Sequence, residues 1–133
     1  MITPLTPIEF KRRARKLYPK KTAIIDGPLR FTYEEFDNRT WRLSNGLKSL
    51  GLASGDHIAV MLPNTHEMIE CFYGIGQMGA VMVPLNIRLA EEEVLYILEH
   101  SDSKAVIVDS EYGSMIDRLL PIPRPIVRTF SRQ

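Results

Sequence analysis

Two apolar runs, residues 57–62 (HIAVML) and 80–84 (AVMVP), flank a segment of helical spacing that opens at Thr65 and continues to about Met78. Runs this apolar suit strands covered on both faces, and strand, helix, strand in this order is a βαβ unit. A parallel pair needs a crossover, nearly always right-handed, so the unit commits the chain to a parallel sheet on which everything else must pack. Met68, Ile69, Phe72 and Ile75 are the residues expected to face the core from the helix.

The flanking sequence supplies matching elements. Thr6, Pro7 and Glu9 read as a cap, a first helical position and a T-x-x-E box, and Pro19 ends that first helix. Its apolar side is Ile8, Phe10, Ala14 and Leu17, with the basic residues expected in solvent. Residues 22–26 (TAIID) and 29–32 (LRFT), separated by Gly27 and Pro28, predict a hairpin. Thr32 caps again with Glu35 three residues on. The helix over 33–50 aligns Tyr33, Phe36, Thr40, Leu43, Leu47 and Leu50, and Gly51 closes it where a left-handed residue costs least. After Asn86 and Arg88, AEEEVLYILEH predicts a helix with Val94, Ile97 and Leu98 inward and Glu91, Glu92 and Glu93 at its positive end. Residues 104–109 (KAVIVD) predict a third parallel strand and 112–120 a short helix; Pro121, Pro123 and Pro125 then lead extended into a last strand over 126–130. The expected fold is α/β, a mostly parallel sheet with flanking helices preceded by a short β-hairpin.

No repeat or linker divides the 133 residues, so a single domain, 1–133, is expected. With 44% hydrophobic and 25% charged residues the chain is neither a disordered tail nor a fibre. Its net charge of +1 selects no partner class, but seven cations against the single Glu9 give the first 21 residues +6, leaving −5 for the remainder. A solvated helix face accounts for this; contact with phosphates or a lipid surface is the alternative, and the lack of interleaved aromatics argues against nucleic acid. Cys71, the single cysteine, excludes an internal disulfide and lies on an apolar helical face, where it reads as a small core residue. The N-terminus lacks the charged-then-apolar order of a signal peptide, and glycines, Gln77, Pro84 and Asn86 break the longest uncharged run, 71–87. A cytoplasmic protein with no transmembrane segment is expected.

Several motifs invite chemistry and are better explained without it. Gly74-Ile75-Gly76-Gln77-Met78-Gly79 matches the dinucleotide fingerprint, but that fingerprint needs a strand before it and a helix after it, and here the order is reversed. Close helix packing and a cap at Gly79 are expected instead. Glu91, Glu92 and Glu93 splay around their helix and cannot converge. His57, His66 and His100 lack metal-ligand spacing, and His100 suits the negative end of its helix. Asn64 and Asn86 both follow strand ends, where open α/β sheets place ligands, although local turn hydrogen bonding is the simpler role.

Four stretches carry a family resemblance: YPKKTAIIDG (18–27), FTYEEFDNRTWRLSNGL (31–47), LGLASGDHIAVMLPNTHEMIECFYG (50–74) and GAVMVPLNIRLAEEEVLYILEHSDSKAVIVD (79–109). Their order, with GD-x-[VI]-A followed by PN and then GA-x-x-x-P-[LI]-N, resembles the N-terminal part of the AMP-forming acyl-CoA synthetases of the adenylate-forming superfamily. The resemblance implies the N-terminal portion of that enzyme fold. It implies a family reaction in which ATP activates a fatty or other carboxylic acid to acyl-AMP and then to acyl-CoA, with ATP, magnesium and coenzyme A for the full-length enzyme. The family's Pro-Lys-Gly phosphate loop, adenine-reading segment, ribose-binding aspartate and catalytic lysine lie further along a much longer chain. They have no match here, so the chain is expected to be truncated relative to the family and not catalytic alone. No catalytic, cofactor-binding or metal residue is therefore assigned, and no cofactor in this chain. The expected partners are the remainder of the enzyme or a second copy, with weak contact of the basic first helix with an anionic surface as a lesser one. The rival reading is a stand-alone interaction module pairing through an exposed sheet edge.

Overall fold

The computed structural model describes residues 3–120 and 125–129. The chain runs α1 (Pro7–Leu17), β1 (Thr22–Asp26), β2 (Leu29–Thr32), α2 (Tyr33–Ser49), β3 (His57–Met61), α3 (His66–Gln77), β4 (Val81–Pro84), α4 (Glu91–His100), β5 (Ala105–Asp109), α5 (Ser110–Leu119) and β6 (Ile126–Thr129). The strand expected to reach residue 130 is present to Thr129, and Pro121, Pro123 and Phe130 lie outside the described residues.

The βαβ unit is the centre of a four-stranded sheet of order β4-β3-β5-β6, in which all three pairings are parallel. β3 and β5 are the inner strands, which is why they read as unbroken apolar sequence: Ile58 to Met61 and Ala105 to Asp109 are all buried. Alternation sorts their side chains onto two faces. Ile58, Val60 and Ile107 meet Leu47, Cys71 and Ile75 from α2 and α3, whereas Ala59, Met61, Val106 and Val108 meet Val94, Leu98 and Ile116 from α4 and α5. Each fully buried Ile or Leu in these layers contributes about 1.5–3 kcal/mol. The antiparallel pair β1-β2 forms a separate two-stranded sheet beside α2 and α3.

Local chemistry fixes the element ends. Thr32 Oγ1 accepts from Glu35 N–H at 3.2 Å while the Glu35 carboxylate accepts from Thr32 N–H at 2.8 Å, the expected capping box. At α1 only half the box forms: Thr6 accepts from Glu9 N–H, and the Glu9 carboxylate turns to Arg12.

Three expectations about which residues face inward are corrected. In α1, Phe10 and Leu17 are exposed, and Lys11, expected in solvent, is 4% exposed. In α2, Leu50 lies past the helix end and is exposed, while Asp37 and Ser44 join the inner face. In α3, Ile69 and Phe72 are exposed, and the buried set is His66, Glu70, Cys71, Gly74 and Ile75. The inner face of α3 is turned away from its most apolar stripe because α2 packs closely on Gly74: a Cβ there would sit 2.7 Å from Leu43 Cδ2 and 3.2 Å from the Thr40 carbonyl oxygen.

The buried polar groups of α1, α2 and α3 form one seam. Lys11 Nζ donates to Asp37 Oδ1 (2.7 Å), Thr40 Oγ1 (2.8 Å) and Gln77 Oε1 (2.8 Å). Gln77 Nε2 donates to Ser44 Oγ (2.7 Å), whose hydroxyl lies 2.6 Å from the Gly74 carbonyl oxygen. Arg39 pairs with Glu70 beneath, so no buried side-chain polar atom among the described residues lacks a partner.

Candidate functional site

Every strand of the main sheet is parallel, so the C-terminal ends lie on one side, the side on which open α/β sheets bind ligands. The chain leaves β3 for β4 in one direction and returns to β5 in the other. Beside that reversal, the loops following β3 and β4 enclose an open cleft of about 460 Å³ whose lining includes Leu62, Asn64, Met68, Asn86 and Arg88. The two asparagines singled out from sequence, 22 positions apart, therefore share one wall. Asn86 does turn chemistry: its Oδ1 accepts from Arg88 N–H at 2.9 Å. The Asn64 side chain and the Arg88 guanidinium are exposed and have no protein hydrogen-bond or ion-pair partner among the described residues. The cleft thus offers an apolar floor, an amide and a free cation, a combination suited to an anionic group attached to an apolar or aromatic body.

A second hollow, about 370 Å³, lies at the opposite ends of the strands and is lined by Asp56, Asp102, Ser103 and Lys104 among others. One of its carboxylates is already paired. Lys104 Nζ donates to Asp56 Oδ1 at 2.8 Å, and this bond, followed by the one from Ala53 N–H, holds the Asp56 carboxyl below its ordinary value.

Sequence spacing gave no metal site, yet folding gathers Asp26, His66 and Glu67, whose ligand atoms lie within 4.8 Å of one another. His66 Nδ1 lies 2.6 Å from Asp26 Oδ2 and His66 Nε2 lies 3.2 Å from Glu67 Oε1. The two ring nitrogens point apart, so one ion cannot take both carboxylates through them; a cation at Nε2 would have Glu67 as its remaining protein ligand, with Asp26 orienting the ring from behind. The arrangement clips the hairpin to α3: Asp26 also accepts from His66 N–H at 3.0 Å, and Phe31 of β2 packs 5.0 Å from the imidazole. Bonds from the His66 ring, then from its backbone, hold the Asp26 carboxyl below its ordinary value. Sequence could not reveal this contact, because its partners are 40 residues apart.

His57 and His100 join no such cluster. His57 Nδ1 lies 2.6 Å from the Ser101 carbonyl oxygen, and His100 stacks on Tyr96 in the last turn of α4. Gly74, Gly76 and Gly79 end α3 rather than begin a helix; Gly79 has φ +80 and Gly74 is buried against α2. Their backbone is not arranged as a phosphate cradle. Cys71 is buried, and desolvation, with smaller contributions from Glu70 and Glu67, pushes its thiol up to about 12, far from a nucleophile's range. No helix among the described residues is long and apolar enough to cross a membrane.

Comparison with known proteins gives these features a context. The sequence model of the AMP-binding enzymes matches residues 10–130. The chain is 38% identical over 117 residues to a peroxisomal butyrate–CoA ligase of Arabidopsis thaliana, covering 88% of this chain and 20% of that protein. Among solved structures, a fatty acyl CoA synthetase of Mycobacterium tuberculosis superposes with a TM-score of 0.84 and 32% identity over 92% of this chain and 26% of that one. A putative long-chain-fatty-acid CoA ligase from Rhodopseudomonas palustris superposes with a TM-score of 0.88 and 26% identity, covering 97% of this chain and 34% of that one. The chain spans about a fifth of the length of the curated relatives it matches.

Proposed function

Since the chain belongs to the AMP-binding enzyme family, we propose that residues 1–133 act as one domain, the N-terminal scaffold of an acid–CoA ligase. In this reading the full enzyme activates a fatty or other carboxylic acid with ATP and magnesium to acyl-AMP and passes the acyl group to coenzyme A. The observation that carries it is the extent of the match: more than nine-tenths of this chain superposes on about a quarter to a third of a solved fatty acyl CoA synthetase and a solved putative long-chain-fatty-acid CoA ligase. A stand-alone pairing module would not need that correspondence.

The segment's contribution is architectural. Its parallel sheet fixes the loops after β3 and β4, and Arg88 and Asn64, without partners among the described residues, give that end of the sheet polar groups to offer a ligand held mainly by the rest of the enzyme. Neither the glycine triplet, which ends a helix, nor the Asp26 and Glu67 carboxylates, which straddle an imidazole, fits an ATP–magnesium site. Among the described residues no strand pairs with the outer edges of β4 and β6, which suits continuation of the sheet by the remainder of the enzyme. A reducing compartment such as the cytoplasm fits the single buried cysteine.

The test is a chimera in which this chain replaces the equivalent segment of a related ligase, assayed beside the 133-residue chain alone with ATP, magnesium, coenzyme A and a panel of carboxylic acids. The chimera is expected to form acyl-CoA, and the chain alone to release no AMP above blank. Acid-dependent AMP release by the chain alone, or a folded chimera that cannot ligate, overturns the scaffold reading.

A further inference from the structure

We propose that the outward face of α1 is a docking surface for an anionic lipid bilayer. The starting observation is the way this helix is docked. Its buried contact is a lysine, Lys11, flanked by the half-buried Ile8 and Ala14, whereas Phe10 is 61% exposed and Leu17 52% exposed. A helix that needed only to cover α2 and α3 would use its largest apolar side chains for that purpose. Here they point away from the protein, and Leu5 just before the helix (88% exposed) and Tyr18 just after it (50%) extend the same exposure.

Two of the cations share the outward side. Arg13 lies three residues from Phe10 and four from Leu17, so the three make one stripe along the helix, and Lys16, three residues on from Arg13, flanks that stripe, whereas Arg12 lies about 160° around the helix from Phe10. Arg13 and Lys16 have no ion-pair partner among the described residues, while Arg12 is paired with Glu9. Lys21 Nζ sits 4.6 Å from the centre of the Tyr18 ring, which sets a cation against an aromatic at the helix end. The resulting surface sets Phe10 and Leu17 beside the cations of Arg13 and Lys16, on the part of the chain that holds +6 against −5 elsewhere.

A lipid surface accommodates both features in one plane. Apolar side chains of an interfacial helix enter the boundary between headgroups and acyl chains, about 5–10 Å deep, while Lys and Arg stay at the phosphates. Each basic residue near an anionic leaflet raises partitioning ~fivefold. A nucleic acid would use the cations, but it offers nothing for Leu5, Phe10 and Leu17, whose exposure would then be unexplained. Because α1 is already folded and held by Lys11, binding incurs no ordering of a disordered segment.

The experiment is co-sedimentation of the full chain with phosphatidylcholine vesicles containing or lacking phosphatidylserine, at low and high salt. The expected result is binding to the phosphatidylserine vesicles alone, lost as salt rises. Arg13→Glu with Lys16→Glu, and separately Phe10→Ser with Leu17→Ser, should each weaken it by about tenfold or more with unchanged circular dichroism, since all four side chains are exposed. Absence of binding at low salt overturns the proposal. So does binding by the Phe10→Ser, Leu17→Ser variant equal to that of the parent chain, which would mark a purely electrostatic contact. Displacement from the vesicles by duplex DNA at matched phosphate concentration would identify a nucleic-acid surface instead and is equally fatal.

Discussion

Replacing Lys11 with methionine tests whether α1 is held by its polar seam. Methionine keeps most of the buried stem and removes the ammonium, so the change isolates the three hydrogen bonds to Asp37, Thr40 and Gln77. Lys11 and Asp37 have side chains 2% and 10% exposed, and removing one member of a buried pair costs about 3–5 kcal/mol, because the other charge stays behind without compensation. Asp37 retains Arg15 at 3.0 Å, but that partner is 40% exposed and screened, which places the expected loss near the lower end, about 3 kcal/mol. At eleven residues α1 is too short to persist undocked, so the loss should appear as local opening rather than global unfolding. Native-state hydrogen exchange is the assay. Protection of the amides of α1 should fall by about 100-fold, the equivalent of that free energy, while β3 and β5 keep theirs. The double variant Lys11→Met, Asp37→Leu should recover part of the loss, since an apolar pair leaves no stranded carboxylate. If α1 protection in Lys11→Met stays within threefold of the parent, or the double variant is worse than the single, the seam does not hold the helix.

Two further outcomes follow from the geometry. Gly74→Ala should destabilise by about 1–3 kcal/mol in urea titration, because its Cβ would press on Leu43 and on the Thr40 backbone, whereas Gly76→Ala, with only Ile8 Cδ1 at 3.5 Å, should be neutral or stabilising by up to about 1 kcal/mol; equal effects would contradict the close approach of α2 and α3. The Asp56 carboxyl is held below its ordinary value of 3.8 by Lys104 first and Ala53 N–H second, so its contribution is complete above that value and lost as pH falls through the lowered folded value. Asp56→Asn should therefore lose less stability between pH 7 and strongly acid solution than the parent chain, measured by urea midpoints, and an identical acid loss would count against the linkage.

What could be read in advance was whatever chemistry is local. Thr32 with Glu35, the glycines at 51 and 79 with φ of +89 and +80, and the apolar runs of β3 and β5 each state their role within a few residues, and the sheet follows from them. The cleft was half legible: Asn64 and Asn86 stood at strand ends, but Arg88 gains its place only when the two loops meet. The phases of α1 and α3 were not legible. Periodicity counts Lys11 and Glu70 as outward and Gly74 as nothing, yet each is inward because of a partner elsewhere: Lys11 bonds residues 26, 29 and 66 positions away, and Glu70 bonds Arg39 at 31. A hydrophobic pattern sees the water side of a helix only when the buried side is apolar, and here it is charged and satisfied. The Asp26–His66–Glu67 clip escaped for the same reason.

The two ends of the sheet differ in a way that bears on function. At the N-terminal ends of the strands three polar side chains close on distant partners: Lys104 on Asp56, His57 on the Ser101 carbonyl, Ser54 on the Gly79 carbonyl. At the C-terminal ends the loops after β3 and β4 leave an amide and a guanidinium without partners among the described residues, whose buried side-chain polar atoms are satisfied elsewhere. Exposed groups can be left to water at little cost, so their lack of partners is no stability defect. The asymmetry is informative because parallel strands force it to be an asymmetry of ends: the bonds at one rim join residues 25, 44 and 48 positions apart, whereas Asn86 and Asp109 at the other each accept from a backbone N–H two residues on. That division suits the scaffold role proposed above, since a rim whose groups were already paired internally would have to break those bonds before it could offer them to a ligand.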